Sequence, residues 1–125
     1  MEKLTAPKKK QKKRVSATQK SLKKLREEGY VCQIVEHYNS FCRVRVDLFG
    51  FIDLLCIRDK EILGVQTTTG ANSASRVEKI KNHANYHIVK QAGIKISVHG
   101  WRKLQKKCKN GNVKMVWECK EIIIN

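Results

Sequence analysis

Asp53 and Gln66 are the residues whose types and spacing first ask for chemistry. They sit inside "FGFIDLLCI" and "EILGVQTTT", two runs otherwise rich in apolar and β-branched residues that read as strands. Asp59-Lys60 between them has the length of a tight hairpin turn, and that register puts Asp53 opposite Gln66. Facing residues project on one side of a sheet, and alternation adds Thr68 to that side. A slip of one residue would separate them onto opposite faces. A carboxylate beside an amide carbonyl is a pair of oxygen donors suited to a hard cation such as Mg²⁺ or Mn²⁺. The competing account is a buried hydrogen bond, which needs a protonated Asp53 or a neighbouring cation, because an unpaired buried charge is costly. Asp47, in "RVDLFG", is a second nearby carboxylate, available as a supplementary metal ligand or as a partner for Arg43 or Arg45. Asp59 and Glu61 lie at the turn and read as solvated.

The elements that must hold these groups follow from periodicity. Ser16 and Gln19 have capping-box spacing, Leu22 and Leu25 supply an apolar stripe, and Gly29 stops the helix. Three strands are expected next, in "YVCQIVEHY", "CRVRVDLFGFIDLLCI" and "EILGVQTTT", with Gly50 marking a bulge or bend in the long middle one. A single second helix is predicted from Ser75 to Ala92. Val77, Ile80, Ala84, Ile88 and Gln91 form one side of it, and Arg76, Lys79, His83 and Lys90 another. Strands in "IKISVHGW" and "VKMVWECKEIII" close the chain, separated by a basic loop, "RKLQKKCKNGN". The order is α-β-β-β-α-β-β, an α/β domain over residues 16–125 with no internal repeat.

Charge identifies the class of partner. Against 11 Asp and Glu stand 27 Lys and Arg, and a net charge of +16 on 125 residues implies a polyanion. Nucleic acid is the first candidate, because neutralising phosphates releases counterions and gives affinity without sequence readout. An anionic membrane ranks below it, since no amphipathic apolar helix accompanies the basic run. No apolar run reaches the roughly 18 residues a spanning helix needs, and the charged N-terminus has no signal-peptide core. Residues 1–15 read as a disordered basic arm, with Lys8, Lys9, Lys10, Lys12, Lys13 and Arg14 placed for phosphates. The same run has the composition of a nuclear localisation signal. Five widely spaced cysteines form no C-x-x-C pair, which fits a reducing intracellular compartment, cytoplasmic in a prokaryote or virus and nuclear or cytoplasmic in a eukaryote.

The order of elements, with Asp53 in "FGFID" and Gln66 and Thr68 in "VQTTT", resembles the PD-(D/E)xK nuclease superfamily. The likeness is to its small Holliday-junction-resolvase-like and phage-type members, and it spans most of residues 16–120. It implies a restriction-endonuclease-like core with a mixed central sheet flanked by helices. It also implies a metal-dependent endonuclease acting on DNA, with branched or structured substrates expected, DNA favoured over RNA, and a homodimer where both strands are cut. The family signature carries an Asp on one core strand and a Glu-x-Lys on the next. Asp53 takes the first place, Gln66 stands where the Glu would be, and Thr68 where the Lys would be. The resemblance therefore assigns metal ligation to Asp53 and Gln66, with Asp47 in support, and catalysis to Asp53, Gln66, Thr68 and Lys79. Lys79, one turn after Arg76 on the following helix, would supply the charge that Thr68 lacks. Gln19 stands near the place of a Glu the family often carries on its first helix. A protein that has lost the Glu and the Lys could instead bind DNA or RNA without cutting it.

Three further features have a second reading each. His83 and His87 have i, i+4 spacing for zinc but lack a third ligand, which favours surface or hydrogen-bonding roles. "TTTGANSAS" could present N–H groups to a phosphate, without the Gly-Lys-Ser/Thr of a nucleotide loop. Trp101, beside Arg102 and Lys103, combines an aromatic face with cations as nucleic-acid surfaces do, though a Trp at a strand end also suits a core.

Overall fold

The computed structural model describes residues 15–125; the expected basic arm, with Lys8 to Arg14, lies outside the described residues. Helix α1 (Ala17–Glu27) starts at Ser16, whose hydroxyl accepts the Gln19 backbone N–H at 3.2 Å. It stops at Gly29, whose φ of +94° the chain can adopt because no Cβ opposes it. The chain continues through β1 (Val31–Ile34), β2 (His37–Asn39), β3 (Val44–Val46), β4 (Leu54–Arg58) and β5 (Glu61–Thr69). A 3₁₀ turn (Gly70–Asn72), α2 (Ser73–Lys81), α3 (Tyr86–Gln91), β6 (Ile94–Lys107) and β7 (Val113–Ile124) complete it.

The architecture is α/β, with a mixed five-stranded sheet in the order β1-β4-β5-β6-β7. Only β5 and β6 run parallel, and α2 and α3 form the crossover that a parallel pair requires. Each sheet face has its own core. On one, Leu22 and Leu25 of α1 pack with Tyr30, Cys32, Leu54, Cys56, Leu63 and Val65. On the other, Ile80, Tyr86 and Val89 pack with Phe51, Ile52, Ile96 and Val98. Side-chain alternation along β5 divides its residues between these faces: Leu63, Val65 and Thr67 face α1, while Gly64, Gln66 and Thr68 face α2 and α3. Among the described residues no helix is long and apolar enough to cross a membrane.

Three expectations need correction. The first two expected strands are each divided. Residues 37–46 leave the main sheet as a separate β2–β3 hairpin, so "CRVRVDLFGFIDLLCI" is not one strand. The bend expected at Gly50 is present as a tight turn, with Phe49 at φ +57° and Gly50 at φ +93°. The expected helix from Ser75 to Ala92 is two helices, because residues 82–85 hydrogen-bond locally: the Asn85 N–H donates to His83 Nδ1 at 3.0 Å. The break rotates the buried stripe, leaving Ile88 66% exposed and burying Tyr86 and Val89. Finally, most of the expected basic loop is strand, since β6 continues to Lys107.

Candidate metal centre and adjoining basic groove

The β4–β5 ladder has the register expected from the Asp59-Lys60 turn, from Arg58 opposite Glu61 up to Leu54 opposite Val65. It ends there. Asp53 lies in a bend just outside it, its N–H donating to the Val65 carbonyl at 2.9 Å and its carbonyl accepting the Val35 N–H at 2.9 Å. Its side chain then does what the next backbone carbonyl would have done. Asp53 Oδ2 accepts the Thr67 N–H at 2.8 Å and the Thr67 hydroxyl at 3.3 Å. The expected side-by-side pairing of Asp53 with Gln66 is thus replaced by a pairing with Thr67, because the bend frees Asp53 from strand alternation.

From Thr67 the contacts run on to α1 and the β2 root. Thr67 Oγ1 lies 2.9 Å from Thr18 Oγ1, which lies 3.1 Å from Glu36 Oε1. Two hydroxyl protons serve three contacts, so all three can be hydrogen bonds together only if a carboxyl carries a proton. Glu36 immediately precedes the β2–β3 hairpin and Asp47 immediately follows it, and each offers a carboxylate oxygen within 4.8 Å of the others and of Asp53. The turn from Asp47 to Ile52 fixes this convergence, with the Gly50 N–H on the Asp47 carbonyl at 3.0 Å and the Ile52 N–H on the Leu48 carbonyl at 3.0 Å. A Cβ on Gly50 would run into the His83 imidazole, and Asn85 Nδ2 donates to the Phe49 carbonyl at 3.0 Å. The unexpected break between α2 and α3 therefore buttresses the turn that sets two of the three carboxylates.

The electrostatics are those of crowded, buried carboxylates. Burial drives the Asp53 carboxyl up to about 8 against the opposing Thr67 N–H, and the neighbouring Asp47 and Glu36 push it further in the same direction. Asp47 Oδ1 is buried and has no hydrogen-bond partner. A chain with 27 cations and 11 acids has gathered three carboxylates where they repel one another. An all-oxygen donor set with an orphaned buried acceptor fits a hard divalent cation such as Mg²⁺ or Mn²⁺. A second group, His99, Cys119 and Glu121, also has ligand atoms within 4.8 Å of one another. It already holds its own cation, because Lys24 Nζ lies 2.6 Å from Glu121, and Ser21 Oγ occupies His99 Nδ1 at 2.9 Å. Burial keeps His99 below its ordinary range and pushes Cys119 up to about 12, as expected of a neutral packed pair.

The remaining expected residues fall in different places. Gln66 and Thr68 are buried on the α2 side of β5, and Gln66 Oε1 has no hydrogen-bond partner there. Lys79 is exposed on α2, on the sheet face opposite Thr18 and Thr67, and no ion pair ties it or Arg76 among the described residues. The cation at the carboxylates is instead Arg45, 3.9 Å from Glu36. Gln19 is exposed, and its neighbour Thr18 faces the site. Trp101 is half-buried, donating from Nε1 to Ser21 Oγ at 2.8 Å, so it combines a packing role with a partly open face.

Past Thr67 the surface becomes basic. A groove of about 1240 Å³ runs between the start of α1 and the β6–β7 hairpin, lined by Lys20, Lys23, Lys24, Lys103 and a single acid, Glu27, with Thr68, Thr69, Trp101 and Trp117. Lys20 Nζ sits 3.3 Å from the centroid of the Trp117 ring, and Lys103 Nζ 5.8 Å from it. Thr18 on α1 and Thr67 on β5 belong to the carboxylate cluster, and the residues next to them line the groove. Sequence reasoning missed Glu36, Thr18 and the Thr67 hydroxyl. The one available signal for Glu36 was a carboxylate within an otherwise strand-like run, "YVCQIVEHY".

No protein-family model matches this chain, and no curated protein or solved structure matches it significantly.

Proposed function

We propose that the chain is a divalent-metal-dependent endonuclease that hydrolyses phosphodiester bonds in DNA, on a restriction-endonuclease-like core of the PD-(D/E)xK kind. The observation that carries the reading is the cluster of Glu36, Asp47 and Asp53, with its orphaned Asp47 oxygen, beside a groove of lysines and tryptophans. The order α1, β1, β4, β5, then α2 and α3, then β6 supports the core assignment, with the β2–β3 hairpin as an insertion between β1 and β4.

Glu36, Asp47 and Asp53 would hold the cation. When bound there, Mg²⁺ supplies an activated water and neutralises charge at the phosphate. The protein's own groups do the rest. The Thr67 N–H anchors one Asp53 oxygen and leaves the other toward Asp47. Thr18 and Thr67 orient Glu36 and Asp53 by hydroxyl contacts. Arg45, with its side chain 70% exposed, is placed to meet charge developing on a phosphate in the role the absent Lys would fill. Lys20, Lys23 and Lys103 hold the flanking backbone in register.

The test is incubation with plasmid, linear and four-way-junction DNA in Mg²⁺ or Mn²⁺, beside Asp53→Ala and Glu36→Gln. Metal-dependent cleavage lost in both variants supports the assignment. Binding without any cleavage by the wild type would sink it in favour of a non-cutting DNA-binding protein.

A further inference from the structure

We propose that the distal half of the β6–β7 hairpin is a two-stranded ribbon that enters the major groove of duplex DNA. This rests on the nuclease reading only for the choice of DNA as partner. β6 is paired with β5 as far as Trp101, opposite Thr69. Beyond that point Arg102–Lys107 pairs with β7 alone, from Arg102 opposite Glu118 to Lys107 opposite Val113. At about 3.3 Å per residue those six rungs carry the ribbon roughly 20 Å past the sheet edge.

The ribbon's stabilising pairs sit toward its root, where Arg102 faces Glu118 and Lys103 faces Trp117, while its outer rungs carry unpaired charge. An unsupported two-stranded hairpin is marginal in water. Lys106 directly faces Lys114, a like-charge pair that destabilises a ladder unless an anion sits between or beside them. Glu118, the ribbon's lone acid, is engaged by Arg102 at 3.0 Å. Val113 (57% exposed), Met115 (47%) and Trp117 (47%) follow one another on a single face of β7, opposite Lys107, Gln105 and Lys103, so the apolar stripe available to thymine methyls is flanked by cations. Alternation puts Lys103 and Lys107 on one face and Lys106 with Lys114 on the other. Cations on both faces suit a slot with phosphates on both walls and do not suit a flat membrane. The B-form major groove, about 12 Å wide, admits such a ribbon. The major groove of A-form RNA is too narrow and deep. Trp117, capped by Lys20, fixes the ribbon's root to α1, so the ribbon and the carboxylates keep a set geometry.

The experiment uses the full chain with a duplex of about 30 base pairs, the same sequence as duplex RNA, and a Lys106→Ala/Lys114→Ala variant. Dimethyl sulfate reports guanine N7, which lies in the major groove. The wild type should protect a short run of N7 positions, and the variant should lose that protection. The salt dependence of affinity should flatten by about 2 in log–log slope, two phosphate contacts fewer. Melting temperature should be unchanged or higher, because a repulsive exposed pair is removed. Unprotected N7 in the bound wild-type complex, equal affinity of the variant, or equal affinity for duplex RNA would overturn the proposal. The nuclease reading is scored separately on the same samples: protection without cleavage supports the ribbon and removes the enzyme, and cleavage without protection does the reverse.

Discussion

Replacing Asp53 by Asn should stabilise the metal-free protein, and should do so more at high pH than at low. The folded protein holds the Asp53 carboxyl at about 8 against an ordinary 3.8, through burial and the adjacent carboxylates. The sign follows from the raised value. The neutral acid is favoured by the fold, so its contribution is complete below pH about 4 and is lost as pH rises through about 8. Between pH 5 and pH 8 the full displacement would cost the wild type about 4 kcal/mol. Sharing the proton with Asp47 and Glu36 reduces this, and about 2 kcal/mol is the expected loss, or about 10 °C in Tm for a domain of this size. Asn carries no charge to desolvate and can still accept the Thr67 N–H, so its stability should stay nearly flat over that range. Saturating Mg²⁺ should then reverse the order. At a hundred times its Kd the ion stabilises the wild type by about 2.7 kcal/mol, and more at pH 8 than at pH 5 because it competes with the shared proton. Thermal melts of both proteins at pH 5 and 8, with and without Mg²⁺, make a complete test. Equal destabilisation of the variant at both pH values, or an equal Mg²⁺ effect on both proteins, would refute the reasoning.

Gln66→Met should be neutral or stabilising by about 1 kcal/mol in denaturant titrations, since it removes a buried acceptor that has no partner. It should leave the Mg²⁺-induced rise in Tm intact, whereas Glu36→Gln should abolish most of that rise. Gly50→Ala should cost about 2 kcal/mol, from the positive φ and the encounter with His83, and should weaken Mg²⁺ binding through displacement of Asp47. Lys23→Ala and Lys103→Ala in the groove should each lower the salt slope of DNA binding by about 0.9, measured by fluorescence anisotropy across salt concentrations.

How much of this was legible in the sequence depended on whether local signals acted alone. The β4–β5 register was readable because Asp59-Lys60 has the length of a two-residue turn and Asp59 tolerates its φ of +53°. The N-terminus of α1 at Ser16 and its stop at Gly29 were readable for the same local reason. The separate β2–β3 hairpin was not, because Val44–Val46 has the same β-branched character as a core strand and only tertiary placement leaves all three residues exposed. The helix break was hidden because Val77, Ile80, Ala84 and Ile88 keep helical spacing across it. It is decided by His83 and Asn85 reaching the Phe49–Gly50 turn, with Asn85 and Phe49 36 residues apart in sequence. The distal ribbon looked like a loop because "RKLQKK" has no apolar alternation, and its strand character comes from pairing with β7 alone. Asp53 and Asp47 could be found as misplaced carboxylates. Glu36 could not be weighted, because its importance lies in standing at the same hairpin root as Asp47.

That shared root bears on the Glu-x-Lys positions of β5, where this chain carries Gln66 and Thr68. A carboxylate at position 66 would point to the α2 side, where it would meet Val98 and the Ile52 packing and no metal ligand. The bend at Asp53 has turned the carboxylate cluster toward α1, so β5 meets it through Thr67, a neutral residue that supplies an N–H and a hydroxyl. On the proposed assignment the acid count would be restored from the two ends of the β2–β3 hairpin, which bring Glu36 and Asp47, and the positive charge from Arg45 on its second strand. Under this reading Gln66 and Thr68 are free to become core residues, and their replacement says little about activity. The insertion is what must stay intact. Arg45→Ala should therefore reduce cleavage by about 10²-fold, the scale of removing one charge-stabilising donor, while leaving Mg²⁺ stabilisation of the fold unchanged. Unchanged cleavage in Arg45→Ala, with a large loss in Lys79→Ala, would return the catalytic charge to α2 and reject the relocated site.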